Sequence, residues 1–259
     1  MADLFKFPRT PHLYGSRLGV GDGDLSQIPF SDILGRNIVI EEKIDGANCG
    51  ISFDTDGTLL LQNRGHFFYG GYKERHYDLF KSFANQNKSA LYSALGTRYV
   101  MYGEWMYAKH TVFYDSLPDY FIEFDIYDKE KGVFLDTPSR RAITEALPFP
   151  LYSVPVLGSG CYRTRDEVLG HLSVSRYISP SHLEVLAAVA ETVGANVCEV
   201  LKATDNSRDM EGLYIKVEEN GEVRQRVKFV RSTYVQAAAL DTSRWQSRII
   251  IPNRLIKDK

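Results

Sequence analysis

The sequence predicts an α+β fold in which antiparallel sheets carry helices packed on their outside. Three observations lead there. Asp54-Thr55-Asp56-Gly57 and Asn220-Gly221 each separate runs of β-forming residues, and Asp-Gly and Asn-Gly favour the left-handed backbone of tight hairpins. Tyr99–Trp105 and Tyr120–Tyr127 are apolar on both parities, as strands covered on both faces must be. Helix start and stop signals fall between these strands, at Thr137-Pro138, at Thr164 to Glu167 and at Ser179-Pro180.

With 259 residues, 44% hydrophobic and 12% aromatic, the chain can bury a substantial core. Its net charge of −2 gives no global attraction to nucleic acid, so a polyanion has to be held by a local basic patch. Cys49, Cys161 and Cys198 are odd in number and far apart. Neither a disulfide framework nor a zinc site is indicated, and a reducing, cytoplasmic setting fits. Met1 to Arg9 lacks the apolar stretch of a signal peptide, and no run of about 18 apolar residues could span a membrane. A soluble protein without a membrane partner is expected.

Residues 1–36 are mixed, with a Gly-rich acidic loop at Gly19 to Asp24 and a short amphipathic piece from Phe30 to Leu34, and little chemistry is expected of them. Ile38 to Lys43 reads as a buried strand. Cys49–Phe53 and Thr58–Asn63 are the arms of a hairpin that delivers Arg64 to a strand end. Leu79, Phe80, Phe83, Leu91 and Leu95 space a helix broken at Asn85 to Lys88. Thr137 is expected to cap the next helix, with Pro138 at its first position, and Gly194 to stop the helix that Ser179-Pro180 opens. Glu211–Val217 and Val223–Val230 form a second hairpin. On its returning strand Arg224, Arg226 and Lys228 share one face, a basic stripe suited to polyphosphate, and Val223, Gln225, Val227 and Phe229 share the other. His66, His76, His110, His171 and His182 show no ligand spacing and read as structural or solvent-facing. No repeat or linker divides the chain, so one catalytic domain over 1–235 and a short tail over 236–259, carrying Arg244, Trp245, Arg248, Arg254, Lys257 and Lys259, is the expected parse.

A lysine that leaves Ile38-Val39-Ile40 and enters the turn Asp45-Gly46 is a candidate phosphate-facing nucleophile, although Lys-x-Asp-Gly alone also describes a solvated lysine before a turn. Further patterns add to it. Lys43-Ile44-Asp45-Gly46, Tyr102-Gly103-Glu104, Phe124-Asp125-Ile126, Glu211-Gly212 and Arg226-Val227-Lys228 resemble, in this order, motifs I, III, IIIa, IV and V of the covalent nucleotidyltransferases. That superfamily comprises polynucleotide ligases and mRNA-capping enzymes. Gly46-Ala47-Asn48 is similar to the RNA ligase 2 family, where DNA ligases commonly carry arginine at the last position. Too little chain follows Lys228 for the OB-fold domain of DNA ligases and capping enzymes. The larger C-terminal domain of well-known RNA ligase 2 members is not expected either, which suggests a partner or larger assembly for nick recognition; an end-healing kinase or phosphatase is a separate expected partner.

The resemblance implies a nucleotidyltransferase fold around a nucleotide cleft and an ATP-dependent RNA ligase using Mg²⁺ or Mn²⁺. A lysine attacks the α-phosphate of ATP, AMP passes to a 5′-phosphate RNA end, and the 3′-hydroxyl end displaces AMP. It implies Lys43 as the nucleophile, Lys228 on the α-phosphate, and Arg226 where the family commonly has another lysine. By the same resemblance Glu104 holds the ribose, Phe124 stacks on adenine, Arg64 lies near the ribose or acceptor phosphate, and Asn48 supports the 5′-phosphate end. Glu42, Ile44 and Lys216 join the nucleotide site, and Asp45 and Glu211 hold metal-bound water. Strand parity sets Lys216 opposite Glu211 unless a bulge intervenes. Positive potential from Lys228, Arg226 and the metal is expected to lower the pKa of Lys43 and favour the neutral amine. The alternatives are a minimal DNA ligase, a GTP-using capping guanylyltransferase, and a nucleotide- or RNA-binding module without activity.

Overall fold

The computed structural model describes residues 3–19, 22–23, 26–234 and 249–256. The chain begins with β1 (His12–Leu13) and β2 (Gln27–Ile28), then β3 (Asn37–Lys43), β4 (Ala47–Phe53) and β5 (Leu59–Asn63). Helices α1 (Asp78–Gln86) and α2 (Lys88–Leu95) lead to β6 (Tyr99–Trp105), β7 (Phe121–Asp128) and β8 (Val133–Phe134). After α3 (Thr137–Glu145) come β9 (Tyr152–Ser153), β10 (Val156–Cys161), α4 (Arg165–Leu169), α5 (His182–Thr192) and α6 (Val197–Lys202). The hairpin of β11 (Gly212–Glu219) and β12 (Glu222–Val230) completes the set.

These strands form two sheets, as the α+β prediction requires. One runs β10-β3-β11-β12-β1-β2 and the other β5-β4-β6-β7-β8, with β9 beside β7. Pairing is antiparallel except where β1 meets β2 and β12, and where β9 meets β7. Asn220 and Gly221 have φ of 55° and 83°, the two left-handed residues of a type I′ turn. In the other hairpin the Asp54 side chain accepts from the backbone nitrogens of Asp56 and Thr58 at 3.1 and 2.8 Å.

Each sheet buries one core. Ile38, Ile40, Leu213, Ile215, Val217 and Val227 pack with Leu13 and Val168 in the first. Ile51, Phe53, Met101, Phe121 and Ile126 pack beneath Phe80, Leu91 and Leu95 of α1 and α2 in the second, and the break between these helices falls at Asn87. The capping box at Thr164 and Glu167 is formed. The cap of α3 is Asp136 rather than Thr137: the Asp136 carboxylate accepts from Ser139 N at 3.0 Å, which places Thr137 inside the helix. Helix α5 begins at His182, beyond Ser179-Pro180.

Residues 249–256 return to the body of the molecule. Asn253 is fully buried, accepts from Tyr114 N at 2.9 Å and donates to Met106 O at 2.6 Å. Arg254 lies in this piece, while Arg244, Trp245, Arg248, Lys257 and Lys259 lie outside the described residues. Among the described residues no helix is long and apolar enough to cross a membrane.

Candidate active site

Lys43 ends β3, whose partner β11 sets Gly212 opposite it. The residue before that glycine, Glu211, therefore lies beside the lysine, and Lys43 Nζ donates to Glu211 Oε2 at 2.6 Å. Because Glu211 precedes the strand, it is free of the parity that governs Tyr214 and Lys216. Lys228 enters from β12, opposite Tyr214, which is itself opposite Glu41. The second sheet supplies Asn48 on β4, its cross-strand neighbour Glu104 on β6, Arg64 beyond β5 and Phe124 on β7. The turn through Ile44, Asp45 and Gly46 carries the chain from one sheet to the other. A cavity of about 370 Å³ lies between them, lined by Glu42, Lys43, Ile44, Asp45, Asn48, Arg64, Glu104, Phe124, Glu211 and Lys228. That volume suits a nucleotide.

The charges are coupled. Burial pushes the Glu211 and Glu104 carboxyls up to about 7 each, against the pull of Lys43. Burial likewise pushes Glu42 up to about 7, opposed by a hydrogen bond from Ser175. For Lys43 the structure reverses the expectation. Burial alone would lower its pKa, but the charge and hydrogen bond of Glu211, joined by Asp45 and Glu104, outweigh burial and raise it. Lys228 shifts the other way, lowered by burial and by the charge of Lys43.

Asp45 is fixed by the segment that follows β6. Its Oδ2 accepts from Thr111 N at 2.8 Å, Val112 N at 2.9 Å and the Tyr234 hydroxyl at 3.1 Å, and its backbone nitrogen donates to the Tyr114 hydroxyl at 2.8 Å. Its Oδ1 faces His110 Nδ1 at 3.9 Å. Among the described residues no group of three or more His, Cys, Asp and Glu forms a metal cage. Asp45 Oδ1 and Glu211 Oε1 accept no hydrogen bond among the described residues. Two such carboxylates fit a Mg²⁺ or Mn²⁺ ion that keeps most of its waters.

Two assigned residues do not line the cavity. Arg226 points toward Phe134 and Phe7, its guanidinium carbon 3.7 and 5.1 Å from their ring centroids, with Asp125 at 3.6 Å. Lys216 is 1% exposed; its Nζ lies 2.9 Å from Glu41 and 2.8 Å from Asp125 and donates to the Phe124 carbonyl at 2.6 Å. Arg140 of α3 donates to that same carbonyl and to Glu41 Oε1, the latter at 2.7 Å. Arg224 pairs with Glu222 at 2.9 Å. The stripe is therefore no continuous polyphosphate surface, since aromatic rings cover its middle member.

Residues 1–36 contribute more than their composition suggested. His12, fully buried, pairs with Lys228 across β1 and β12, and its Nε2 lies 2.9 Å from Asp22 Oδ2, which Lys228 Nζ reaches at 3.2 Å. Burial opposes ionisation of Asp22, but His12 and Lys228 bring its carboxyl down to about 2. Arg9, His12, Arg17, Asp22 and His110 all line the cavity. No spacing rule finds His12, because the two-residue parallel strand that carries it has no pattern of its own.

A family model described as RNA ligase matches residues 36–230. Among solved structures, a Naegleria gruberi RNA ligase variant with ATP and Mn matches at a TM-score of 0.50 and 15% identity, over 87% of this chain and 60% of its own. An archaeal ATP-dependent RNA ligase matches at 0.48 and 15% identity, over 88% and 49%. At this identity the Naegleria likeness speaks for the fold alone, and the chain spans about half to three-fifths of the length of these two proteins. No curated protein matches it.

Proposed function

The chain belongs to the RNA ligase family, and from that premise we propose that it is an ATP-dependent RNA ligase acting through a lysyl-AMP intermediate. One observation carries the reading: the Lys43 amine lies in a nucleotide-sized cavity, hydrogen-bonded to Glu211 and sharing the lining with Glu104, Asp45 and Lys228.

Lys43 Nζ displaces pyrophosphate from the α-phosphorus of ATP, forming an N–P bond as the P–O bond to the leaving group breaks. An oxygen of the 5′-phosphate on one RNA end attacks the AMP phosphorus as the N–P bond to Lys43 breaks, and the 3′-hydroxyl of the other end then attacks the phosphorus of that 5′-phosphate, forming the phosphodiester as AMP leaves. Such displacements need alignment and charge neutralisation more than elaborate acid–base chemistry. Glu211 orients the amine; Lys228 neutralises the α-phosphate. Glu104 accepts hydrogen bonds from the ribose hydroxyls, and the Phe124 ring forms the adenine wall. Asp45 and Glu211 would hold a divalent cation, which when bound would supply positive charge that offsets Glu211 and favours the neutral Lys43 amine. Arg64 and Asn48, on the sheet facing the lysine, are assigned to the 5′-phosphate end. The remaining assignments are a cytoplasmic setting and end-healing activities from a partner.

Mass spectrometry of the intact, denatured protein tests this. Incubation with ATP should add an AMP-sized mass, and Lys43→Ala should remove the addition. A label transferred from GTP but not from ATP would overturn the proposal.

A further inference from the structure

Arg64 to Lys81 departs from the rest of the chain in composition: its sequence holds four basic residues, Arg64, Lys73, Arg75 and Lys81, against two acidic ones, Glu74 and Asp78, in a protein of net charge −2. At its tip, Tyr69 and Tyr72 are 83% and 72% exposed, more than any other large apolar side chain among the described residues. The turn that carries them is built firmly. The Glu74 carboxylate accepts from the backbone nitrogens of Tyr69 at 3.1 Å and Gly70 at 2.9 Å, and it pairs with Lys81 at 2.8 Å. Gly70 and Gly71 have φ of 98° and 107°, and a Cβ on either would meet nothing within 4 Å. They therefore serve the turn itself, and no packing demand puts them there. The Arg75 guanidinium sits 4.4 Å from the Tyr72 ring centroid and donates to its hydroxyl.

Both ends of the segment are tied to the cavity. Arg64 lines it, and Phe68 N donates to Leu61 O on β5 at 2.8 Å. At the other end Trp105, next to Glu104 on β6, donates from Nε1 to His76 O at 2.7 Å. Two outward rings and a cation, on a segment that begins at cavity-lining Arg64, match the chemistry of unpaired bases on a phosphate backbone. A protein partner would instead need a larger apolar patch.

We propose that Tyr69 and Tyr72, steadied by Arg75, form a stacking platform for unpaired bases of the RNA strand whose end enters the cavity. This rests on the RNA ligase reading and gives that site its polynucleotide surface. Every base has a π-face, so the platform reads strand state rather than sequence.

The test is fluorescence anisotropy of the full chain with a 5′-phosphorylated single-stranded RNA in the absence of ATP. Replacing both rings, Tyr69→Ala with Tyr72→Ala, should weaken binding by about tenfold or more. Tyr69→Trp with Tyr72→Trp should retain it, and the alanine variant should load AMP at the unmodified rate. Unchanged RNA affinity in the alanine variant would overturn the platform and leave the rings to a protein partner. An equal loss in the tryptophan variant would overturn stacking. Failure of the unmodified chain to load AMP would sink the ligase reading alone, and the RNA comparison decides the platform either way.

Discussion

Arg226 and Lys228 are two residues apart on one strand face and do different work. Parity identifies the shared face correctly but says nothing of what covers it, and Phe134 and Phe7 cover Arg226 while Lys228 opens on the cavity. Arg226→Ala should therefore cost about 2 kcal/mol in denaturant unfolding, through lost cation–π contacts and the loss of one of the two cations beside buried Asp125, which keeps Lys216 at 2.8 Å. It should leave the salt dependence of ATP use unchanged. A salt-sensitive rise in KM for ATP, with stability intact, would return Arg226 to the phosphates. Lys43, Glu104 and Glu211 were legible because each lies at or beside a strand end within a recognisable local pattern. His12 and Asp22 were not, since they matter only through the pairing of β1 with β12.

At the scale of the element, the spacing between Lys43 and Glu211 depends on the register of β11 between its two neighbours. Gly212 makes that register possible: a Cβ there would lie 1.9 Å from the Phe229 carbonyl oxygen. Gly212→Ala should push β11 from β12, lower stability by about 3 kcal/mol, the upper range for overpacking, and abolish AMP loading. A stable, fully active variant would show that the strand pair tolerates the side chain. The hairpins were readable from Asn220-Gly221 and Asp54 to Gly57 because turn chemistry is local. The α3 cap was misplaced by one residue because Asp136 and Thr137 are both capping types, and only the geometry shows which accepts from Ser139.

For the molecule as a whole, the raised carboxyls set a dependence on pH. Glu42 is 2% exposed, and its folded value of about 7 lies above its ordinary 4.5. The fold thus favours its protonated form; that stability is complete below about pH 4.5 and is lost as the pH rises through about 7. Glu42→Gln should make the nucleotide-free protein more stable at pH 8, by on the order of 2 kcal/mol, and change little near pH 4.5. Identical unfolding curves at pH 8 would rule this out. The sequence marks the strands but not their allocation to two sheets, because periodicity records which faces are covered and not what covers them.

Arg140 and Lys216 converge on the Phe124 carbonyl and on Glu41, two residues before Lys43. These cations rivet a strand of one sheet to a strand of the other at the floor of the cleft. Jaw-like opening of the halves would tear both donors from buried acceptors at once. Access to the cavity is thus expected to change at the side lined by Asp22 and His110 and not by spreading of the two sheets.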